Sequence, residues 1–232
     1  MCGRFVIAKE LSGITELFEL DEVPENYSPL SYNIAPTQQV PIIVELEIDA
    51  VPSRQLHQAR WGLIPSWAKE VSTPLFNARI ESALEKPSFK EATQKKRCAI
   101  PASGYYEWQA TDSGKQPFYI HPADGMLAFA GIYSWWRDPA KAANDPTRWV
   151  LTCSILTKDS ASALASIHDR NPVFLSEENL SAWLAPDYQT TPELLAALSK
   201  ESDLVASELS YHPVSSKVGQ VSANSPELIK PL

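Results

Sequence analysis

The feature that most restricts this chain is the punctuation of its middle. Residues 98–100, 105–109, 117–121, 127–133 and 148–156 have strand composition, and Ser103-Gly104, Asp112-Ser113-Gly114 and Asp124-Gly125 supply turns among them. Such closely spaced short runs specify a sheet. Around them, short helices and further strands are interleaved irregularly, which predicts a single α+β domain spanning residues 1–232. Its expected architecture is a mostly antiparallel curved sheet or open barrel flanked by short helices.

The flanking elements follow from local pattern. A strand is expected over residues 4–7. A helix over about 9–20 follows from the spacing of Leu11, Ile14, Leu17 and Phe18. An acidic, proline-bearing loop leads to Thr37, and strands are expected at 40–46 and 57–61. Gly62 and Pro65 bar a regular helix from the apolar stretch Trp61-Gly62-Leu63-Ile64-Pro65-Ser66-Trp67. Trp61 is expected in the core, while Trp67 is either packed or offered to a ligand. Helices are further expected over 82–90 and 160–167, from Ser176 with Leu180, Trp183 and Leu184 on one face, and from Thr191 as N-cap with Pro192 in the first position. A last strand is expected at 208–212.

Composition narrows the functional classes. Hydrophobic residues make up 44% and charged ones 21% of 232, which is globular rather than disordered. No apolar run approaches the roughly 18 residues of a membrane helix, and no leader pattern opens the chain. Three cysteines, Cys2, Cys98 and Cys153, argue for reduced thiols rather than a disulfide framework. A soluble, cytoplasmic protein is therefore expected, and a monomer is expected as well, although composition does not set the oligomeric state. No CxxC or histidine pair suggests zinc, so neither a metal nor a cofactor is expected. A net charge of −8 counts against a general nucleic-acid binder, although a local basic face survives inside such a chain.

Cys98 and Cys153 sit in apolar stretches and read as small buried hydrophobes. Cys2 is different. Removal of Met1 would leave a 1,2-aminothiol, whose amine condenses with an aldehyde and whose thiol then closes onto the imine carbon as a thiazolidine. An unperturbed α-amine titrates at about 7.7 to 8.0, so part of it is unprotonated near neutrality. A Cys2 without chemical role is the plain alternative.

Four other polar positions stand in apolar or aromatic surroundings. Glu107, in Gly104-Tyr105-Tyr106-Glu107-Trp108, must find a partner or shift its pKa. Catalysis and a structural ion pair both fit. His168, in Ile167-His168-Asp169-Arg170, is either an acid–base group or a satisfied residue at a helix end. Asn77 and Arg79 share a loop, where a turn residue and a surface cation are the ordinary readings.

Met1-Cys2-Gly3-Arg4-Phe5, Asn33-Ile34-Ala35-Pro36, Trp61-Gly62-Leu63-Ile64-Pro65, Asn77-Ala78-Arg79-Ile80-Glu81, Arg97-Cys98-Ala99-Ile100-Pro101, Gly104-Tyr105-Tyr106-Glu107-Trp108, Ile167-His168-Asp169-Arg170 and His212-Pro213-Val214-Ser215, taken in order, resemble the SOS-response-associated peptidase (SRAP) family. The resemblance implies a protein that senses abasic sites in single-stranded DNA and crosslinks to them through Cys2. It implies Asn77, Glu107 and His168 as the other active-site residues. It further implies that Arg4, Arg79 and Arg170 hold phosphates, and that Pro36 and Trp67 lie against the bases or the gap beside the lesion. Self-removal of Met1 and a weak abasic-site lyase activity are secondary expectations. Two rivals stand beside this reading. One is an N-terminal-nucleophile cysteine amidohydrolase, which requires a four-layer αββα sandwich. The other is a non-catalytic single-stranded-DNA-binding module.

Overall fold

The computed structural model describes residues 2–71, 73–112, 114–160 and 164–232. The strands are β1 (Phe5–Ile7), β2 (Ser31–Ile34), β3 (Gln39–Ile48), β4 (Val51–Trp61), β5 (Asn77–Arg79), β6 (Arg97–Ala102), β7 (Gly104–Thr111), β8 (Gly114–His121), β9 (Leu127–Arg137), β10 (Trp149–Asp159), β11 (Arg170–Pro172), β12 (Phe174–Leu175) and β13 (Ser210–Pro213). The helices are α1 (Leu11–Phe18), α2 (Pro87–Lys95), α3 (Glu177–Leu184) and α4 (Pro192–Ser207).

Pairing around β10, β4, β3, β6, β9 and back to β10 closes a ring of five strands, so the barrel is shut rather than open. Closure removes edges that would otherwise expose unpaired backbone. All pairings among the named strands are antiparallel except those of β10 with β4 and with β5. A second sheet, ordered β13-β8-β7-β1-β2, lies against this barrel. The two are joined by aromatic packing: Phe5 on β1 meets Trp61 at 5.1 Å and Phe129 at 5.9 Å, both edge-on. Trp61 is buried as expected, and its indole N–H donates to the Phe76 carbonyl at 2.8 Å. Cys98 and Cys153 lie in the same core.

Gly104 opens β7 at a point of close approach. A Cβ there would stand 2.6 Å from both the Ile120 carbonyl oxygen and the Tyr119 ring, so a side chain would push β8 away from β7.

The helix ends obey their local chemistry. Ser176 accepts from the Asn179 N–H and Thr191 from the Leu194 N–H, the latter with Pro192 in the first turn. The first helix is shorter than the 9–20 expected because Glu19 adopts a left-handed conformation, φ 52°, and ends it at Phe18. Helix α2 starts at Pro87, past most of the expected 82–90 span; its fixed φ suits a first helical position, and a 3-10 turn over Ile80–Ser82 precedes it. The helix expected over 160–167 is absent from 164–167, which form a turn, while 161–163 lie outside the described residues. Strands β2, β5, β11 and β12 were not expected from pattern. Each spans at most four residues, too few for a period-2 signal.

Candidate active site

Strand β1 positions the start of the chain. Phe5 pairs with Tyr105 and Val6 with Gly104, and continuing this antiparallel register brings Gly3 opposite Glu107. The Tyr106 N–H donates to the Arg4 carbonyl at 2.9 Å, which confirms the alignment. Cys2 is fully buried. Its carbonyl accepts from Asn77 Nδ2 at 2.7 Å, and Asn77 is held by β5, which runs parallel to β10. Asn77 Oδ1 is buried with no hydrogen-bond partner among the described residues. An orphaned acceptor this close to Cys2 is suited to a ligand that brings a donor.

Glu107 is 3% exposed on β7, and its Oε2 lies 3.9 Å from Nε2 of His168. Burial raises the carboxyl from 4.5 to about 7, against the lowering effects of the positive charge at the start of the chain and the Trp108 backbone N–H. His168 moves the other way: burial and that same charge lower it, against the raising effect of Asp169. At neutral pH the pair is therefore not an ion pair. It is a carboxyl group divided between its two protonation states beside a neutral imidazole, a combination able to give and to accept a proton. Burial pushes the Cys2 thiol well up, so sulfur keeps its proton at rest.

These groups open onto a cavity of about 440 Å³ lined by Arg4, Glu107, Trp108, Lys115, His168 and Gly219. Cys2 is buried and is not among these lining residues. Arg4 donates to Asn33 Oδ1 at 2.9 Å and to the carbonyls of Val218 and Gly219 at 2.6 and 3.3 Å. Asn33, itself buried, donates to the carbonyls of Val218, Gln220 and Ala223. The C-terminal segment is thus tied to Arg4 and Asn33 and forms one wall. Trp108 and Lys115 were missed from sequence. Trp108 lies within the Glu107 motif, but no local signal marks Lys115, which sits opposite Ala110 and reaches the cavity only through the β7–β8 hairpin.

Other expected contacts lie outside this lining. Arg79 is exposed on β5, Pro36 is half-buried after β2, and Trp67 is 62% exposed on the loop after β4. Arg170, expected to hold a phosphate, is engaged by acceptors within the protein. Its guanidinium meets Glu81 through two bonds of 3.0 Å, Asp159 at 2.5 Å and the Thr157 carbonyl at 2.8 Å. With its side chain buried and these acceptors engaged, Arg170 anchors the loop that carries His168. A separate groove of about 310 Å³ between Ile80–Ser82 and α4 has a mostly apolar lining that also includes Glu81, Glu85 and Ser199. Among the described residues, no group of three or more His, Cys, Asp or Glu side chains could hold a metal ion. No described helix is long and apolar enough to cross a membrane.

Fold and site define a single-domain α+β protein whose second residue, a cysteine, is set near a buried carboxyl and a half-buried imidazole. The sequence profile of the SOS response associated peptidase (SRAP) family matches residues 1–221, and the chain belongs to that family. It is 39% identical to the abasic site processing protein YoqW of Bacillus subtilis over 99% of both chains. It is 31% identical to the abasic site processing protein YedK of Escherichia coli over 100% of both. With the Gallus gallus abasic site processing protein HMCES it shares 32% identity, over 89% of this chain and 67% of that one. A crystal structure of a protein from Bacteroides thetaiotaomicron matches with a TM-score of 0.82 and 26% identity, covering 100% of each chain.

Proposed function

We propose that this chain, acting as one SRAP-like domain over residues 1–232, captures abasic sites in single-stranded DNA as a covalent thiazolidine on Cys2 once Met1 has been removed. The observation that carries this reading is the convergence of three things: Asn77 bonded to the Cys2 carbonyl, Glu107 beside His168, and a cavity with Arg4 and Lys115 in its wall. The names of the relatives agree with the substrate.

The chemistry divides among the residues as follows. An abasic sugar is mostly a closed hemiacetal, so a proton must leave its hydroxyl and another must reach the ring oxygen; His168 does this work. The Cys2 amine attacks the aldehyde carbon, and Glu107 in its acid form protonates the departing hydroxyl, leaving an imine and water. The thiol then adds: the S–C bond forms and the sulfur's proton passes by way of Glu107 to the imine nitrogen. Asn77 Oδ1 accepts from a substrate hydroxyl or from the amine. Confinement supplies the effective concentration that the free reaction lacks. An imine that loses its β-phosphate before ring closure gives strand cleavage, which accounts for weak lyase activity. The same Cys2, Glu107 and His168 serve in self-removal of Met1.

Arg4, Lys115 and exposed Arg79 take phosphates, while Pro36 and exposed Trp67 meet bases, an arrangement that favours unpaired strands. The site of action is the cytoplasm, at the nucleoid when DNA is bound, and the protein works as a monomer. The amidohydrolase alternative is not favoured, because a closed barrel with a side sheet is not an αββα sandwich. The test is denaturing electrophoresis after mixing with abasic single-stranded DNA. The wild type gives a heat-stable adduct, and Cys2→Ala and a chain extended at its N-terminus give none. An adduct from either variant refutes the assignment. DNA association without any adduct in the wild type would leave the non-catalytic module instead.

A further inference from the structure

The ring of His168 is held on its far side by two groups that compete for one atom. Nδ1 lies 3.0 Å from the Arg170 backbone N–H, which donates to it, and 2.7 Å from Asp169 Oδ1. One nitrogen cannot satisfy both. If Nδ1 carries a lone pair it accepts from Arg170 N–H, the proton is on Nε2, and the edge facing Glu107 can only donate. If Nδ1 carries the proton it donates to Asp169, and Nε2 presents a lone pair to Glu107 and the cavity. The choice of partner therefore decides whether His168 meets the substrate as a donor or as a base, and a proton on Nδ1 requires the bond to Asp169 to outweigh the Arg170 N–H that points at the same atom.

We propose that Asp169 is a positioning residue: its carboxylate holds His168 in the tautomer whose Nε2 lone pair faces the cavity, and it accepts a hydrogen bond from Nδ1–H throughout the cycle in which Nε2 gains and loses a proton. This rests on the functional reading above and assigns the step to which the device belongs. Opening the hemiacetal needs a base first, to take the hydroxyl proton, and then an acid, to return one to the ring oxygen. A histidine fixed by Asp169 does both at Nε2. The proton taken at Nε2 gives an imidazolium balanced by Asp169, and its release to the ring oxygen restores the neutral base.

The surrounding charges are Glu107 from β7, Lys115 from β8, the positive charge at the start of the chain, and Asp169 itself on the His168 loop; Arg170 meets the ring through its backbone. Lys115 and the chain start oppose protonation of the ring, and Asp169 favours it. Because the Asp169 side chain is 85% exposed, its Coulombic effect is screened by water. Tautomer choice, which is local and geometric, is then its larger contribution.

The test uses Asp169→Asn, whose side-chain amide can donate to Nδ1 and so favours the opposite tautomer, with Asp169→Glu as the conservative control. Two readouts are taken. The first is the nitrogen NMR spectrum of His168 in the DNA-free full-length protein, which reports the tautomer whatever the protein's function. Wild type is expected to show the proton on Nδ1, and Asp169→Asn to move it to Nε2 and lower the ring's titration midpoint. The second is the adduct-forming rate with closed-ring abasic DNA against an oligonucleotide bearing an open-chain aldehyde. Asp169→Asn is expected to slow the first about tenfold or more and leave the second within about twofold, and Asp169→Glu to recover part of the loss. An unchanged tautomer in Asp169→Asn, or equal slowing with both oligonucleotides, overturns the proposal. If no substrate gives an adduct with the wild type, the functional reading fails, while the spectrum still decides whether Asp169 sets the tautomer.

Discussion

Replacing Glu107 by Gln should make the protein more stable at neutral pH, although it removes a group central to the proposed chemistry. The carboxyl is 3% exposed, and burial raises it from 4.5 to about 7. Between those values the folded protein binds a proton that the unfolded chain has released, so stability falls as pH rises through this interval. The shift is about 2.5 units, and at about 1.36 kcal/mol per unit the ionisable side chain costs the fold about 3 kcal/mol once the pH exceeds 7. Gln keeps the shape and has no charge to desolvate. Urea unfolding of wild type and Glu107→Gln at pH 4, 6 and 8 measures the difference. The variant should gain little at pH 4 and about 3 kcal/mol at pH 8, equivalent to a rise in Tm of roughly 6 to 12 °C for a chain of this size. A gain independent of pH, or a variant less stable than wild type at pH 8, would refute the assignment of Glu107 as a buried acid with a raised pKa.

Adduct formation by the wild type should pass through a maximum near pH 7, rising as the α-amine loses its proton and falling as Glu107, raised to about 7, loses the acid form that expels water. In Glu107→Gln the residual rate should be about a hundredfold lower and follow the amine alone; retention of wild-type rates would remove Glu107 from the mechanism. Non-covalent binding of single-stranded DNA by Cys2→Ala should weaken about fifteenfold between about 50 and 200 mM salt, from roughly three phosphate contacts by Arg4, Arg79 and Lys115; a flat response would contradict those contacts. Arg170→Ala should lower stability by about 2–3 kcal/mol through loss of charge-assisted bonds, measured by urea unfolding, with little change in the salt slope. A reduced slope at unchanged stability would restore Arg170 as a phosphate ligand.

Much of the fold was legible because its signals are local. The long strands β3, β9 and β10 announce themselves by β-branched and aromatic runs, while of β4 only 57–61 was expected, and α3 and α4 are marked by their caps at Ser176 and Thr191. What was hidden depends on long-range pairing. That β10 takes β9 on one side and β4 and β5 on the other, closing the ring, is written in no segment of the sequence. The same holds within the site. Cys2, Asn77, Glu107 and His168 were legible as unusual residues in unusual places. Lys115 was not, since it reaches the cavity through a hairpin, and neither was the tie from Asn33 and Arg4 to residues 218–223 near the other end of the chain. Arg170 shows a second kind of hidden contact. A cation in a functional motif suggests a ligand contact, but the acceptors that occupy it, Glu81 and Asp159, are far away in sequence or on another strand, and only the folded structure brings them together.

The account depends most on where the bond to DNA forms. Protease digestion of the adduct with abasic single-stranded DNA, followed by mass spectrometry of the DNA-bearing peptide, locates that bond. The expected product is a peptide that begins at Cys2, lacks Met1 and carries the deoxyribose through both nitrogen and sulfur, with no free thiol left to alkylate. A DNA-bearing peptide that retains Met1, carries the sugar on a lysine, or still has an alkylatable Cys2 would contradict it.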